Sequence, residues 1–174
     1  MLFTAIGSFI VIFLNSCSPN YFQQAAVSPA YSKTQLYSCI IGNPVFTTSR
    51  SVPVDDARNR CLGFLRTELS KKNFQVMPSD RFEEAVKARS FGGSGTLPES
   101  TALELAASFG AQTLVFAEIS AEAIKGGLPM MASIRIIRTQ DGLQLYSGKA
   151  RAENPASMEA GLEFAIEKAI EGLK

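Results

Sequence analysis

Histidine and tryptophan are absent from this 174-residue chain, and cysteine occurs only three times. Without an imidazole there is no Ser-His-Asp or Cys-His catalysis, no histidine-ligated zinc and no proton switch centred near neutral pH. Enzymes built on carboxylates or lysine stay formally open. An excess of one charge is missing too: 17 Lys and Arg face 16 Asp and Glu, a formal net charge of +1. That balance lacks the basic footprint of a nucleic-acid binder, so no nucleic-acid partner is expected. The apolar run from Leu2 to Leu14 falls short of the ~20 residues a membrane-spanning helix needs.

What is present starts with that run. It leads into Leu14-Asn15-Ser16-Cys17. A short apolar segment closing on a small residue and a cysteine is the pattern of a bacterial lipoprotein signal, which is removed on export. On this reading residues 1–16 are the signal peptide, and Cys17 becomes the acylated N-terminus. The bilayer is then the first partner, and the protein is lipid-anchored at the periplasmic face of the outer membrane. No Lys or Arg precedes the run, and Asn15 stands where a small or β-branched residue is usual. The alternative makes Leu2 to Leu14 a buried element and Cys17 an ordinary cysteine. Cys39 and Cys61 can pair in an oxidising compartment, or each can serve as a small buried apolar side chain. Their spacing does not decide, because a bridge depends on distance in the fold.

Residues 17–34 are polar, with two prolines and no period, and read as the lipidated N-terminus and a tether. Residues 35–174 are expected to form one globular domain. Gln35 to Ile41 reads as a strand and Gly42 to Pro53 as a loop. Asp55 or Asp56 opens a helix to about Lys72, with Ala57, Cys61, Leu62, Leu65 and Leu69 on one stripe and Asn73 as its turn residue. A short strand follows at Phe74 to Met77. Ser79 is expected to cap a helix to Arg89. Beyond the Gly92 to Gly95 loop comes a helix from Pro98 to Phe109, with a capping box at Thr101 and Glu104 and Gly110 as its stop. Thr113 to Ile119 is almost wholly apolar, as a strand buried on both faces would be. Met130 to Arg138 and Leu143 to Arg151 suit a hairpin around Asp141-Gly142. Asn154-Pro155 is expected to start the last helix, with Met158, Leu162, Ala165, Ile166, Ala169, Ile170 and Leu173 inward. The order implies a single α/β domain: a mixed sheet of about five strands with about four packing helices.

Gly95 to Ile119 (GTLPESTALELAASFGAQTLVFAEI) and Ser133 to Ser147 (SIRIIRTQDGLQLYS) resemble a family of periplasmic α/β lipoproteins. It includes the curli secretion-channel lipoprotein, lipoprotein activators of penicillin-binding proteins, flagellar outer-membrane lipoproteins and the N-terminal domain of TolB. The likeness covers roughly Asp55 to Lys174 and implies that fold, with other envelope proteins or further copies of the chain as partners. The long insertions with which the curli channel builds its barrel have no counterpart here. The resemblance does not imply one function, because this fold serves several envelope machines.

Site chemistry is sparse, and no cofactor is expected. The Gly92 to Gly95 loop follows a helix and lacks the Lys-Ser/Thr pair of a phosphate loop, so it reads as a connector. Asp55-Asp56 and Glu83-Glu84 are sequence neighbours that point apart on a helix and suit its dipole better than acid–base work. Gly126 to Met131 (GGLPMM) offers Leu128, Met130 and Met131 either as a partner contact or as side chains tucked into the core. Three functions compete: a structural or adaptor lipoprotein of an envelope assembly (secretion, flagellar or transport), an activator of a peptidoglycan synthase, and a small periplasmic enzyme. A 17-residue tether spans at most ~60 Å, which favours a partner near the membrane and hence the first.

Overall fold

The computed structural model describes residues 11–12, 21–48, 54–90, 97–121 and 129–173. One sheet of eight strands carries the chain: β1 (Val11–Ile12), β2 (Tyr21–Val27), β3 (Tyr37–Ile41), β4 (Val45–Thr48), β5 (Phe74–Val76), β6 (Thr113–Ala121), β7 (Met130–Arg138) and β8 (Gln144–Ala152). Four helices accompany it: α1 (Val54–Ser70), α2 (Asp80–Arg89), α3 (Glu99–Ser108) and α4 (Met158–Ile170). The order across the sheet is β1-β2-β8-β7-β6-β3-β5, with β4 beside β6. β6, β7, β8 and β2 run antiparallel; β3 is parallel to both β5 and β6, so the sheet is mixed, as expected, with more strands than expected.

Two of the added strands correct the reading of the N-terminal half. Tyr21–Val27 lies within the segment expected to be a tether, yet it pairs along its whole length with β8. Its side chains explain the docking. The Gln23 amide donates to the Lys168 carbonyl at the end of α4, at 2.8 Å, satisfying an acceptor that the helix leaves open. Ala25 leaves room for Gly172, where a Cβ would lie 2.6 Å from the Ala25 methyl. Residues 28–36 are fastened as well. Ser28 N–H donates to Leu145 O, and the Tyr31 ring stacks on Tyr37 at 5.7 Å and on Phe74 at 6.3 Å. Tyr21 to Leu36, expected as a tether, is therefore part of the folded sheet and its packing. β1 falls inside the apolar run expected to be a signal peptide and pairs with Ala25 and Ala26 of β2, the place the alternative of a buried element gives it; removal of residues 1–16 would leave that edge of β2 unpaired.

The third correction is β4, inside the expected Gly42 to Pro53 loop. β3 and β4 are one strand interrupted by a bulge. Ile41 stands opposite Val115 and Val45 opposite Glu118, so residues 42–44 face only 116 and 117.

α1 and α4 pack on one face of the sheet. Cys39, Ile41, Val115, Ile134 and Ile136 meet Cys61, Leu65, Leu69, Leu162, Ile166 and Ile170 there, all nearly inaccessible to water. On the other face α2 and α3 cover one end only, where Phe82, Leu103 and Leu105 pack on Ile40, Leu114 and Ile137. Helix caps differ in detail from expectation. Ser79 makes no capping bond and instead donates to Glu83 Oε1 at 3.1 Å; α3 starts at Glu99, which places Thr101 inside the helix. α4 starts after Ser157, whose hydroxyl accepts from Ala160 N–H, three residues beyond Asn154. Asn73, Gly110 and Gly142 take the positive φ their turns require (61°, 82° and 70°).

Candidate interaction site

Period two along β6, β7, β8 and β2 sends alternate residues to opposite faces. One set faces the α1 and α4 side, buried on β6, β7 and β8 and half-buried on β2. The other set forms three rows on the opposite face, beyond the end that α2 and α3 cover. The register gives them as Phe22–Arg151–Met131–Ser120, then Gln24–Lys149–Ser133–Glu118, then Ala26–Ser147–Arg135–Phe116. Phe22, Gln24, Lys149 and Glu118 are exposed and the others half-buried.

Where this face meets α2 and α3 the surface opens into an apolar cavity of about 280 Å³. Phe82, Val86, Leu97, Ala102, Leu114 and Phe116 line it, and Val45 and Gly42 at the bulge form one wall. Val45 is 58% exposed, which the bulge causes by turning it away from the sheet core. The charged part is made by Lys87, Glu83, Glu99 and Arg135. The Arg135 guanidinium lies 5.2 Å above the Phe116 ring and donates through Nη1 to Glu99 at 2.9 Å. Both partners of that ion pair are about half open to water, so it contributes at most ~1 kcal/mol and orients Arg135 more than it stabilises the fold. The cavity offers apolar volume beside an arginine with spare donors, the composition of a contact hot spot. A larger hollow of about 460 Å³ lies where α3 ends and β6 begins, beside Tyr37, Gln112 and Arg138. Its polar groups are already used: Gln112 Oε1 accepts from Ser38 N–H, Thr139 donates to Ala111 O, and Arg138 grips Asp141 with two bonds.

The residues singled out in the sequence fare unevenly. Cys17, the Gly92 to Gly95 loop and Leu128 lie outside the described residues. Met130 is 2% exposed and packs under α4, where a Cβ on Gly161 would come 2.8 Å from its Cγ, so it is not available to a partner. Met131, its neighbour, points the other way and sits half-buried in the first row of the uncovered face. Cys39 and Cys61 are both fully buried and both free thiols, so they do not form the disulfide considered above. Desolvation pushes both thiols up to about 12. Among the described residues no group of three or more His, Cys, Asp or Glu side chains converges as metal ligands. Phe116, expected as a core residue of a strand buried on both faces, is half-buried on the cavity instead; Arg135, Val45 and Phe22 carry no such expectation, and the alternation in Met131-Ala132-Ser133-Ile134-Arg135 is the signal that marks the uncovered face.

No family model matches the chain, and no curated protein matches it in sequence. Solved structures do match in fold. The PelC dodecamer from Paraburkholderia phytofirmans aligns with a TM-score of 0.57 at 13% identity, over 88% of this chain and 96% of that one. Lipoprotein GNA1162 from Neisseria meningitidis aligns at 0.54 and 16% identity, over 78% and 94%. The LpoB C-terminal domain from Salmonella enterica aligns at 0.51 and 14% identity, over 68% and 84%. The chain has the fold of these three. That likeness agrees with the resemblance drawn from Gly95 to Ile119 and Ser133 to Ser147, and at this identity it concerns the fold.

Proposed function

We propose that this protein is a non-enzymatic, lipid-anchored envelope lipoprotein that works as a structural or adaptor component of an envelope assembly at the outer membrane. The observation that carries the reading is the uncovered sheet face with its apolar cavity at Phe116 and Arg135, a surface suited to holding another protein. The lipoprotein signal before Cys17 supports the compartment, and similarity to GNA1162, a lipoprotein, supports it further. Self-association belongs to the same reading, since the structurally similar PelC is a dodecamer.

Activation of a peptidoglycan synthase is the weaker alternative. β2 begins four residues after Cys17, so the leash is ~14 Å rather than the ~60 Å of a full tether. A partner away from the membrane is out of reach. No helix among the described residues is long and apolar enough to cross a membrane.

Fractionation of cells carrying Cys17→Ala tests the anchor: the variant is expected in the soluble periplasmic fraction with its fold intact. Cross-linking from Arg135 and Phe116 positions in envelopes tests the surface. Retention of Cys17→Ala in the membrane pellet at the unmodified mass defeats the lipoprotein reading.

A further inference from the structure

The end of the sheet where β2 starts carries a second patch of apolar side chains and cations, distinct from the cavity; Glu153 pairs with Arg151, and Glu118 stands in the row of Lys149, two strands away. There β2 begins at Tyr21, β8 ends at Ala152, β7 begins at Met130 and β6 ends at Ala121, side by side in register. The outermost row of the uncovered face is Phe22, Arg151, Met131 and Ser120. Phe22 is 49% exposed, and Lys149 in the next row is exposed with no ion pair among the described residues. Arg151 pairs with Glu153 at 3.4 Å, its one ion pair among the described residues. The opposite end of the sheet also exposes apolar side chains, Leu36 at 60% and Leu143 at 38%.

Chain length chooses between the two ends. Cys17 stands four residues before Tyr21, an extended reach of at most ~14 Å. β8 has nine residues and is therefore ~30 Å long. An acylated Cys17 keeps the Phe22 end within reach of the headgroups and holds the Leu36 and Leu143 end away from them. An aromatic ring beside two cations fits the boundary between acyl chains and anionic headgroups.

We propose that the end of the sheet bearing Phe22, Met131 and Arg151 is seated on the anionic bilayer surface, with Phe22 at the headgroup boundary and Arg151 and Lys149 over lipid phosphates. This rests on the reading that Cys17 is acylated. Seating this end places Arg135 and Phe116, four residues further along β7 and β6, ~14 Å above the headgroups. The cavity then opens sideways, free for a protein.

Because the chain has no tryptophan, Phe22→Trp and Leu36→Trp each supply a single reporter at one end. The acylated full chain is purified from envelopes, its mass recorded, and incorporated into vesicles of phosphatidylethanolamine and phosphatidylglycerol with brominated acyl chains. The expected result is about twofold quenching of the Phe22→Trp indole, none for Leu36→Trp, and loss of most quenching when Lys149→Glu and Arg151→Glu are added. An unacylated mass defeats the function proposed above, and this inference with it. An acylated protein whose Phe22→Trp emission is not quenched, or is shielded from aqueous quenchers without being quenched by bromolipid, leaves the anchor standing and overturns the seating. In the shielded case a protein, not lipid, covers this end.

Discussion

Gly148 sets how closely α4 approaches the sheet. A Cβ built there would lie 1.8 Å from the Ala169 carbonyl oxygen and 2.4 Å from the Tyr146 hydroxyl, neither of which has anywhere to go. The same carbonyl accepts the Tyr146 hydroxyl at 2.5 Å, and burial holds that phenol protonated far beyond the ordinary range. Gly148→Ala is therefore expected to destabilise by about 1–3 kcal/mol or more through overpacking, read by thermal unfolding. An unchanged melting temperature means that α4 is not seated on the backbone of β8. Tyr146→Phe removes only the hydrogen bond and should cost about 1–3 kcal/mol for the carbonyl left unpaired. The thiols make a second residue-scale test. Cys39 and Cys61 titrate in the fold near 12 against an ordinary 9.0, so their contribution to stability is complete below pH 9 and is lost as pH rises toward 12. Both are expected to resist a thiol reagent in the native protein and to react fully on unfolding. Rapid native labelling of either one contradicts the burial.

At the scale of elements, the β7–β8 turn carries its own electrostatic clamp. Arg138 donates to both oxygens of Asp141, at 2.9 and 2.6 Å, and Leu143 N–H donates to the same carboxylate. The guanidinium first, and the backbone N–H second, hold the Asp141 carboxyl down to about 2 from the usual 3.8. A depressed value stabilises the fold above the ordinary carboxylate range, and the benefit disappears as pH falls from about 4 toward 2. A carboxyl NMR titration should place Asp141 near 2, and Arg138→Ala should return it toward 3.8; an unshifted wild-type midpoint rules out the clamp. This turn was legible in advance, because Asp141-Gly142 demands a positive φ whatever surrounds it. So were α1, α4 and the core of β6, where the stripe or the unbroken apolar run states the buried face outright. β2 was not. Its Gln23 contacts a helix terminus and its alanines make room for a backbone, so neither shows as apolar alternation. β4 was hidden by its Ser, Thr and Pro neighbours and by a bulge that breaks the period. The site was illegible for a related reason: Phe116 reads as core in an apolar run, and only tertiary structure shows that α2 and α3 stop short of it. Phe116→Ala should accordingly cost less than Leu114→Ala, whose fully buried side chain carries the ~2–5 kcal/mol typical of such a deletion.

The whole molecule is lopsided. Among the described residues one sheet face is sealed by α1 and α4, the other is half-covered, and the open half carries the cavity, Arg135, Lys149 and Arg151, and the exposed Phe22 and Val45. An adaptor needs such asymmetry, since a surface that holds a partner must stay uncovered in the free protein. If the protein works by binding, the loss on mutation should be graded and concentrated at Phe116 and Arg135. Arg135→Ala leaves the fold nearly as stable, because its ion pair with Glu99 is solvent-exposed. It should nonetheless weaken partner capture about tenfold or more, the scale of an interface hot spot. Val45→Asp should act in the same direction, since Val45 is 58% exposed on the cavity wall and contributes little to the core. By contrast, Leu36→Asp at the far end, where the polar groups are already paired, should leave capture unchanged. The measurement is co-purification of cross-linked partners from envelopes for each variant, alongside thermal unfolding to confirm the fold. An Asp-to-Asn or Glu-to-Gln change that abolishes the envelope phenotype while stability and partner capture remain at wild-type levels would instead assign the protein to catalysis, because loss of one essential group costs many orders of magnitude in rate without touching binding.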